Sequence, residues 1–276
     1  MNCNGDIRPV GVFDSGVGGL SVLRAMRQQL TNESVIYFGD QGHVPYGPRP
    51  LDEVREFSKA ITRFLLGMGA KLIVVACNTA SAAALHSLRQ AFPDVSFVGM
   101  EPAVKPAAEN TRTGVVGVLA TPATFQGALY ASVVERFAGN VTLLQNPCPG
   151  LVQQIERGEL DSNETRTILE SALLPMLDRG IDTIVLGCTH YPFVIPLIQE
   201  IVGSDVRVID PAPAVARQVS RLLDSPGGRA VSPISGALRF FTSGNANRFE
   251  AMLPKLLDET GEVREVIWEN NEIRIK

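Results

Sequence analysis

KLIVVACNTASAAA, Lys71 to Ala84, and DTIVLGCTHYPFVI, Asp182 to Ile195, are two versions of one pattern. Each is a short apolar run that ends in a cysteine, then passes through polar residues into an apparent helix. A buried parallel strand feeding a helix reads this way, because a strand covered on both faces shows no polar alternation. Each stretch therefore sets one thiol, Cys77 or Cys188, at the carboxyl end of a strand, where open α/β sheets bind ligands. A thiol at a helix N-terminus faces unpaired N–H groups and the positive end of the helix dipole, and both favour thiolate.

The same plan extends to either side. Val10 to Phe13 reads as a strand closed by Asp14 and Ser15, followed by the glycines of GVGG and a helical run through Leu20, Leu23 and Met26. Val35 to Phe38 is a second strand, ending at Gly39 and Asp40. A loop rich in Pro and Gly follows, in which Tyr46 and Gly47 can approach a ligand. Leu51 to Met68 carries an apolar stripe at helical spacing, with Asp52 and Glu53 near its start. Val95 to Val98 is a strand that ends at Glu101-Pro102-Ala103.

This order then recurs. Gly114 to Leu119, Val141 to Leu144, Asp182 to Gly187 and Val206 to Ile209 repeat the four strands at a spacing of about 107 residues, and their ends match: Asp14 with Ala120, Asp40 with Asn146, Cys77 with Cys188, Glu101 with Asp210. The expected fold is α/β: two pseudo-symmetric doubly wound domains with mainly parallel sheets and a site in the cleft between them. Ile168 to Leu177 and Val215 to Leu223 read as helices, Ser225 to Gly228 as a loop and Leu238 to Thr242 as a strand. The charged tail to Lys276, which holds the single Trp, Trp268, carries no chemical motif.

Composition narrows the function. The chain has 276 residues, 45% of them hydrophobic, a formal charge of −4 and no basic run, so a small metabolite is a better partner than nucleic acid or an anionic membrane. No apolar run reaches the roughly 18 residues that span a bilayer. MNCNGDIRP lacks a basic segment followed by an apolar one, so a cytoplasmic location is expected. Cys3, Cys77, Cys148 and Cys188 are too few and too scattered for a disulfide framework. GVGGL fits neither G-x-G-x-x-G nor the P-loop pattern. It reads equally as a tight strand-to-helix turn or as a loop that holds a phosphate or carboxylate on backbone N–H groups.

Two thiols in duplicated settings point to a paired acid and base. A lone cysteine at a strand end is more often a small buried hydrophobe; two at matching positions, each followed by polar residues, reverse that preference. A zinc site built from Cys77, Cys148, Cys188 and His190 lacks the close Cys or His pairs such sites use. If the two halves face one cleft, Cys77 and Cys188 reach one bound carbon from opposite sides, and removal of a proton by one and return by the other inverts a stereocentre without a cofactor. Each thiol then needs a pKa near working pH. Asp14 beside one and His190 beside the other are the candidate relay groups, and Ser15, Asn78, Thr79 and Thr189 are placed to hold a carboxylate.

At these residues the sequence resembles the aspartate/glutamate racemase family, and the glutamate racemases within it. The likeness runs from GVFDSGVGGLSVL through FGD, VPYG, VVACNTASA, EPAVKPA, TPATF and LGCTHYPF to IDPA. It implies racemisation of glutamate without a cofactor, for cell-wall peptidoglycan, by a homodimer. Cys77 and Cys188 would be the acid/base pair, assisted by Asp14, His190 and Glu156. Substrate contacts would come from Asp14, Ser15, Tyr46, Gly47, Asn78, Thr79, Thr121, Thr124, Thr189 and His190, with no metal. It further implies a first domain of residues 1–100 plus a returning segment 211–276, and a second of residues 101–210. Related two-thiol racemases acting on aspartate or a hydantoin are the alternative, a zinc- or nucleotide-binding module the remoter one. Where many relatives carry a Thr-Ala-Arg type sequence after Asp40, this chain has Gln41-Gly42-His43, so the resemblance assigns no contacts to those residues. The short run before GVFDSG argues against the extended form that needs a cell-wall precursor as activator.

Overall fold

The structure is a computed structural model that describes residues 5–225, 228–231 and 235–276. Cys3 and part of the expected 225–228 loop lie outside the described residues. The first half runs β1 (Val10–Asp14), α1 (Leu20–Gln29), β2 (Val35–Gly39), α2 (Leu51–Gly67), β3 (Leu72–Val75), α3 (Asn78–Ala91) and β4 (Ser96–Gly99). After α4 (Val104–Asn110) the second half runs β5 (Val115–Ala120), α5 (Pro122–Gln126), α6 (Ala128–Phe137), β6 (Thr142–Asn146), α7 (Leu151–Glu156), α8 (Asn163–Leu177), β7 (Thr183–Gly187), α9 (Ile195–Val202) and β8 (Arg207–Ile209). The chain closes with α10 (Ala212–Leu223), β9 (Leu238–Thr242), α11 (Ala246–Leu257), β10 (Val263–Glu269) and β11 (Glu272–Ile275).

Two sheets result, ordered β11-β10-β9-β2-β1-β3-β4 and β6-β5-β7-β8. The run β2-β1-β3-β4 and the run β6-β5-β7-β8 have one winding, which is the duplication read from the sequence. All pairings are parallel except β10 with β11. The central strands VGVFD, VIYFG, LIVV and TIVLG are buried at every residue. Their apolar, largely β-branched side chains suit a sheet covered on both faces.

In each sheet the winding reverses beside the first strand, between β1 and β3 and between β5 and β7. Crevices open at such switch points, at the carboxyl ends of the strands. Asp14 ends β1 and Cys77 follows β3; Ala120 ends β5 and Cys188 follows β7. Both cysteines are therefore delivered to a crevice by topology.

The charged tail, which carries no chemical motif, is regular in structure. It forms α11, β10 and β11, and with β9 it extends the first sheet to seven strands. In α11, Phe249, Met252, Leu253, Leu256 and Leu257 recur at helical spacing and are buried, whereas in β10 and β11 apolar residues are interspersed with charges. The helix α10 packs along α1, and Val215, Val219 and Leu223 are buried with Leu20, Leu23 and Met26 in one core cluster. Each such side chain contributes about 2 kcal/mol by leaving water, so the returning segment is part of the first sheet's support. Among the described residues, no helix is long and apolar enough to cross a membrane.

Candidate active site

Cys77 ends its strand in an extended conformation and is the N-cap of α3, where its sulfur accepts a hydrogen bond from the Ala80 N–H at 3.5 Å. Cys188 differs from the sequence reading. It leads not into an α-helix but into a 3-10 turn, Tyr191–Val194, ahead of α9. Pro192 and Pro196 supply no N–H, so a continuous helix cannot start at the cysteine. Its polar partner is a side chain: His190 Nδ1 lies 3.7 Å from the Cys188 sulfur.

Both thiols line one cavity, one from each sheet. Its walls also include Ser15, Tyr46, Gly47, Asn78, Thr79, Thr121, Thr189 and His190. The Asn78 side chain is buried with no hydrogen-bond partner on either its oxygen or its nitrogen. Buried amides are normally satisfied, and this one stands without partners in the cavity wall. Thr79 and Thr121 join the two walls at 2.8 Å, and Thr124 backs Thr121 at 3.1 Å. Thr124, Asp14 and Glu156 stand outside the lining. The cavity, about 20 Å³, admits a water molecule but not an amino acid, so its walls must separate to load one. Clefts of about 290 and 230 Å³ flank it and share Pro45 and Val152 with it.

Behind each sulfur stands a charged group. Asp14 is fully buried and accepts hydrogen bonds from the N–H groups of Gly19 and Gly16 and from the Thr189 hydroxyl. Burial raises its pKa, against the pull of His190, Cys77 and Gly19. Burial first, then the Asp14 charge, push the Cys77 thiol well up, and the Ala80 N–H only partly offsets them. The expectation of a pKa near working pH thus fails for Cys77 in the closed cavity, because desolvation outweighs one helix N–H.

On the other side His190 Nε2 lies 2.6 Å from Glu156 Oε1. Burial disfavours the charged ring, yet hydrogen bonds to Cys188 and Glu156 overcome it and raise the His190 pKa well above its ordinary value. Burial likewise opposes the Glu156 carboxylate, and His190, Gln41 and the Val17 N–H prevail and lower its pKa. The glycine loop after β1 clasps this pair. Val17 N–H donates to Glu156 Oε1 at 2.8 Å, so the carboxylate held on its backbone is the chain's own.

In the sequence Asp40 is placed only at the end of a strand. It is fully buried, accepts hydrogen bonds from Tyr46 (2.6 Å), Ser243 (2.5 Å) and Trp268 (3.1 Å), and lies 2.9 Å from His43 Nδ1. It anchors the loop that carries Tyr46 and Gly47. Cys148 is also buried, and burial, followed by the charge of Cys188, pushes its thiol up to about 12, which leaves it unreactive. Among the described residues no three His, Cys, Asp or Glu side chains are grouped to hold a metal ion.

The pattern of the Asp/Glu/Hydantoin racemase family matches residues 10–219. The chain belongs to that family. The racemase chain is 51% identical over 250 residues to the glutamate racemase of Roseiflexus sp. (strain RS-1), covering 90% of this chain and 92% of that one. It is 52% identical over 255 residues to that of Ectopseudomonas mendocina (strain ymp), covering 92% and 97%. Among solved structures, glutamate racemase isoform RacE1 of Bacillus anthracis superposes with a TM-score of 0.84 at 33% identity, over 96% of this racemase and 98% of that chain. The Escherichia coli glutamate racemase bound to L-glutamate and the activator UDP-MurNAc-Ala gives 0.82 at 31% identity, over 98% and 99%.

Proposed function

We propose that this protein is an isomerase that interconverts L- and D-glutamate without a cofactor by a two-base proton transfer. The observation that carries the mechanism is that Cys77 and Cys188, at equivalent ends of two sheets with the same winding, line a single cavity. A carbon held between them can lose its proton to one sulfur and regain one from the other, and the stereocentre inverts.

The two sides are chemically unlike, and the reaction needs that. Asp14 favours the thiol form of Cys77, which makes Cys77 the ready donor. His190, positively charged on Glu156, lies 3.7 Å from the Cys188 sulfur, within reach to exchange a proton with it. For the reverse direction Cys77 passes its proton to Asp14 and becomes the base, while His190 passes its ring proton to the Cys188 sulfur, which becomes the donor. Ser15, Asn78, Thr79, Thr121 and Thr189, with Tyr46 and Gly47, surround the substrate carboxylates, whose hydrogen bonds strengthen as charge builds on the α-carbon. Thr124 acts by holding Thr121. Residues 1–100 with 211–276 form one domain and 101–210 the other, and their separation loads the cavity.

The choice of glutamate rests on relatives at about half identity that carry that name. With it comes a role in supplying D-glutamate for peptidoglycan, in the cytoplasm, as a homodimer. Incubation in D2O with L- or D-glutamate tests the reading: deuterium should enter the α-position and optical activity should decay to zero from either enantiomer. Exchange with aspartate or a hydantoin but not with glutamate would overturn the substrate, and no exchange with any of them would overturn the mechanism.

A further inference from the structure

The loop after β2 holds a residue to which neither the sequence pattern nor the reaction assigns a role. Gln41 Nε2 donates to Glu156 Oε2 at 2.8 Å. The other oxygen, Oε1, is taken by the Val17 N–H and by His190. Gln41 is thus the partner of the oxygen that faces away from the imidazole. Its own amide is oriented by Thr242, whose hydroxyl donates to Gln41 Oε1 at 3.2 Å while accepting from the Gly244 N–H at 3.0 Å. That fixes which end of the amide faces the carboxylate. Gly244 is needed for the fit, since a Cβ there would meet the Gln41 Cβ at 2.7 Å.

The chain of contacts therefore runs from Thr242 on β9, through Gln41, to Glu156 on α7, His190 and Cys188. It begins in one sheet and ends at the thiol of the other. Gln41 and Glu156 also line the 290 Å³ cleft beside the cavity. Without Gln41, Oε2 would face that cleft and water, and the carboxylate would be free to turn.

We infer that Gln41 is a positioning residue for the Glu156–His190 pair, fixing the carboxylate so that the imidazole stays aligned on Cys188. This rests on the racemase reading above. It predicts an effect centred on one proton-transfer step, because the contact chain ends at Cys188.

The two enantiomers have equal free energy, so kcat/KM must be the same in both directions and cannot reveal such one-sidedness. A primary isotope effect can. Gln41→Met keeps the length and removes both hydrogen bonds. Its kcat should fall about tenfold with KM nearly unchanged, the loss of one charge-assisted hydrogen bond to a positioning group. The isotope effect with α-deuterated glutamate should rise for the enantiomer deprotonated by Cys188 and fall for the other, whose deprotonation by Cys77 becomes less rate-limiting. The enantiomer in question is the one whose proton Cys188→Ser no longer removes. The acid limb of the pH profile should also move to higher pH, because a carboxylate that loses a donor is easier to protonate. Gln41→Glu, which sets a second carboxylate against Glu156, should lose more activity and recover part of it as pH falls.

If wild-type protein exchanges the α-proton of glutamate and either folded variant leaves the isotope effects and pH profile unchanged, or shifts both enantiomers alike, the role of Gln41 is overturned. If wild-type protein exchanges neither enantiomer, the racemase reading falls, and this inference with it.

Discussion

A Cβ placed on Gly18 would lie 2.4 Å from Nδ1 of His190. The loop of one half is thus moulded on the imidazole of the other, with Gly16 equally tight against Glu156, where a Cβ would meet Oε1 at 1.9 Å. These glycines are required by the close approach of two walls. Gly18→Ala should fold, because the loop is free of the strained backbone that glycine alone adopts, but it must displace the ring from Cys188. A shift of about 1 Å at a positioned group costs on the order of 10²-fold in rate. Steady-state assays with glutamate should find that loss in kcat, and near-native turnover would show that the ring has somewhere else to go.

Each thiol should be indispensable for inversion but not for everything. Cys77→Ser and Cys188→Ser are each expected to abolish racemisation, since either change removes one of two proton carriers. Elimination from a β-substituted glutamate analogue needs a proton removed from one side only, so each variant should retain it for a single enantiomer, and for opposite ones. The same preference in both variants would count against sulfurs facing each other across the carbon.

The pH dependence of stability follows from the buried His190–Glu156 pair. Glu156 has its pKa lowered from an ordinary 4.5, so its contribution is complete above that value and fades as pH falls through the lower, folded one. His190 has its pKa raised well above 6.5, so its contribution is complete below 6.5 and is lost as pH climbs through the folded value. The coupling should therefore be greatest between pH 4.5 and 6.5. Thermal melts of wild type, Glu156→Gln, His190→Asn and the double variant, taken as a cycle at several pH values, measure it. A coupling that keeps growing through alkaline pH would contradict a charged ring.

Buried strands and the duplication were legible in the sequence because parallel strands announce themselves as apolar runs and repeats as fixed spacing. So were Cys77 and Cys188, each at the end of such a run. Asp40 and Gln41 were not, because their partners Ser243, Trp268 and Glu156 are more than a hundred residues distant in the chain and meet them only after the sheet is assembled. The pKa of Cys77 was misjudged for a related reason. A helix N-terminus can be read from local residues, whereas the burial that overrides it comes from a core shared with residues distant in the chain, among them Phe13, Tyr46 and Phe241. The tail's strands escaped because β11 lies at the edge of the sheet with β10 beside it, both partly exposed and rich in charge.

At the far end of β3 from Cys77, Lys71 and Glu33 form an ion pair of 2.7 Å with side chains only 4% and 3% exposed. The ammonium also donates to the carbonyls of Asp6 and Gly228, and Glu33 Oε1 accepts from the Ala230 N–H. The pair therefore pins both the N-terminal segment and the returning chain beneath the first sheet. Removing one member leaves a buried charge without its partner, which typically costs about 3–5 kcal/mol, whereas replacing both by apolar groups of similar size is often nearly neutral. Lys71→Met should accordingly lower the urea midpoint sharply, and Lys71→Met with Glu33→Leu should recover most of the loss. Turnover by the folded fraction should be unaffected in both, since the pair lies at the opposite end of the strand from the thiol. A double variant as unstable as the single one would mean that the carbonyl and N–H contacts, not the paired charges, hold the returning segment in place.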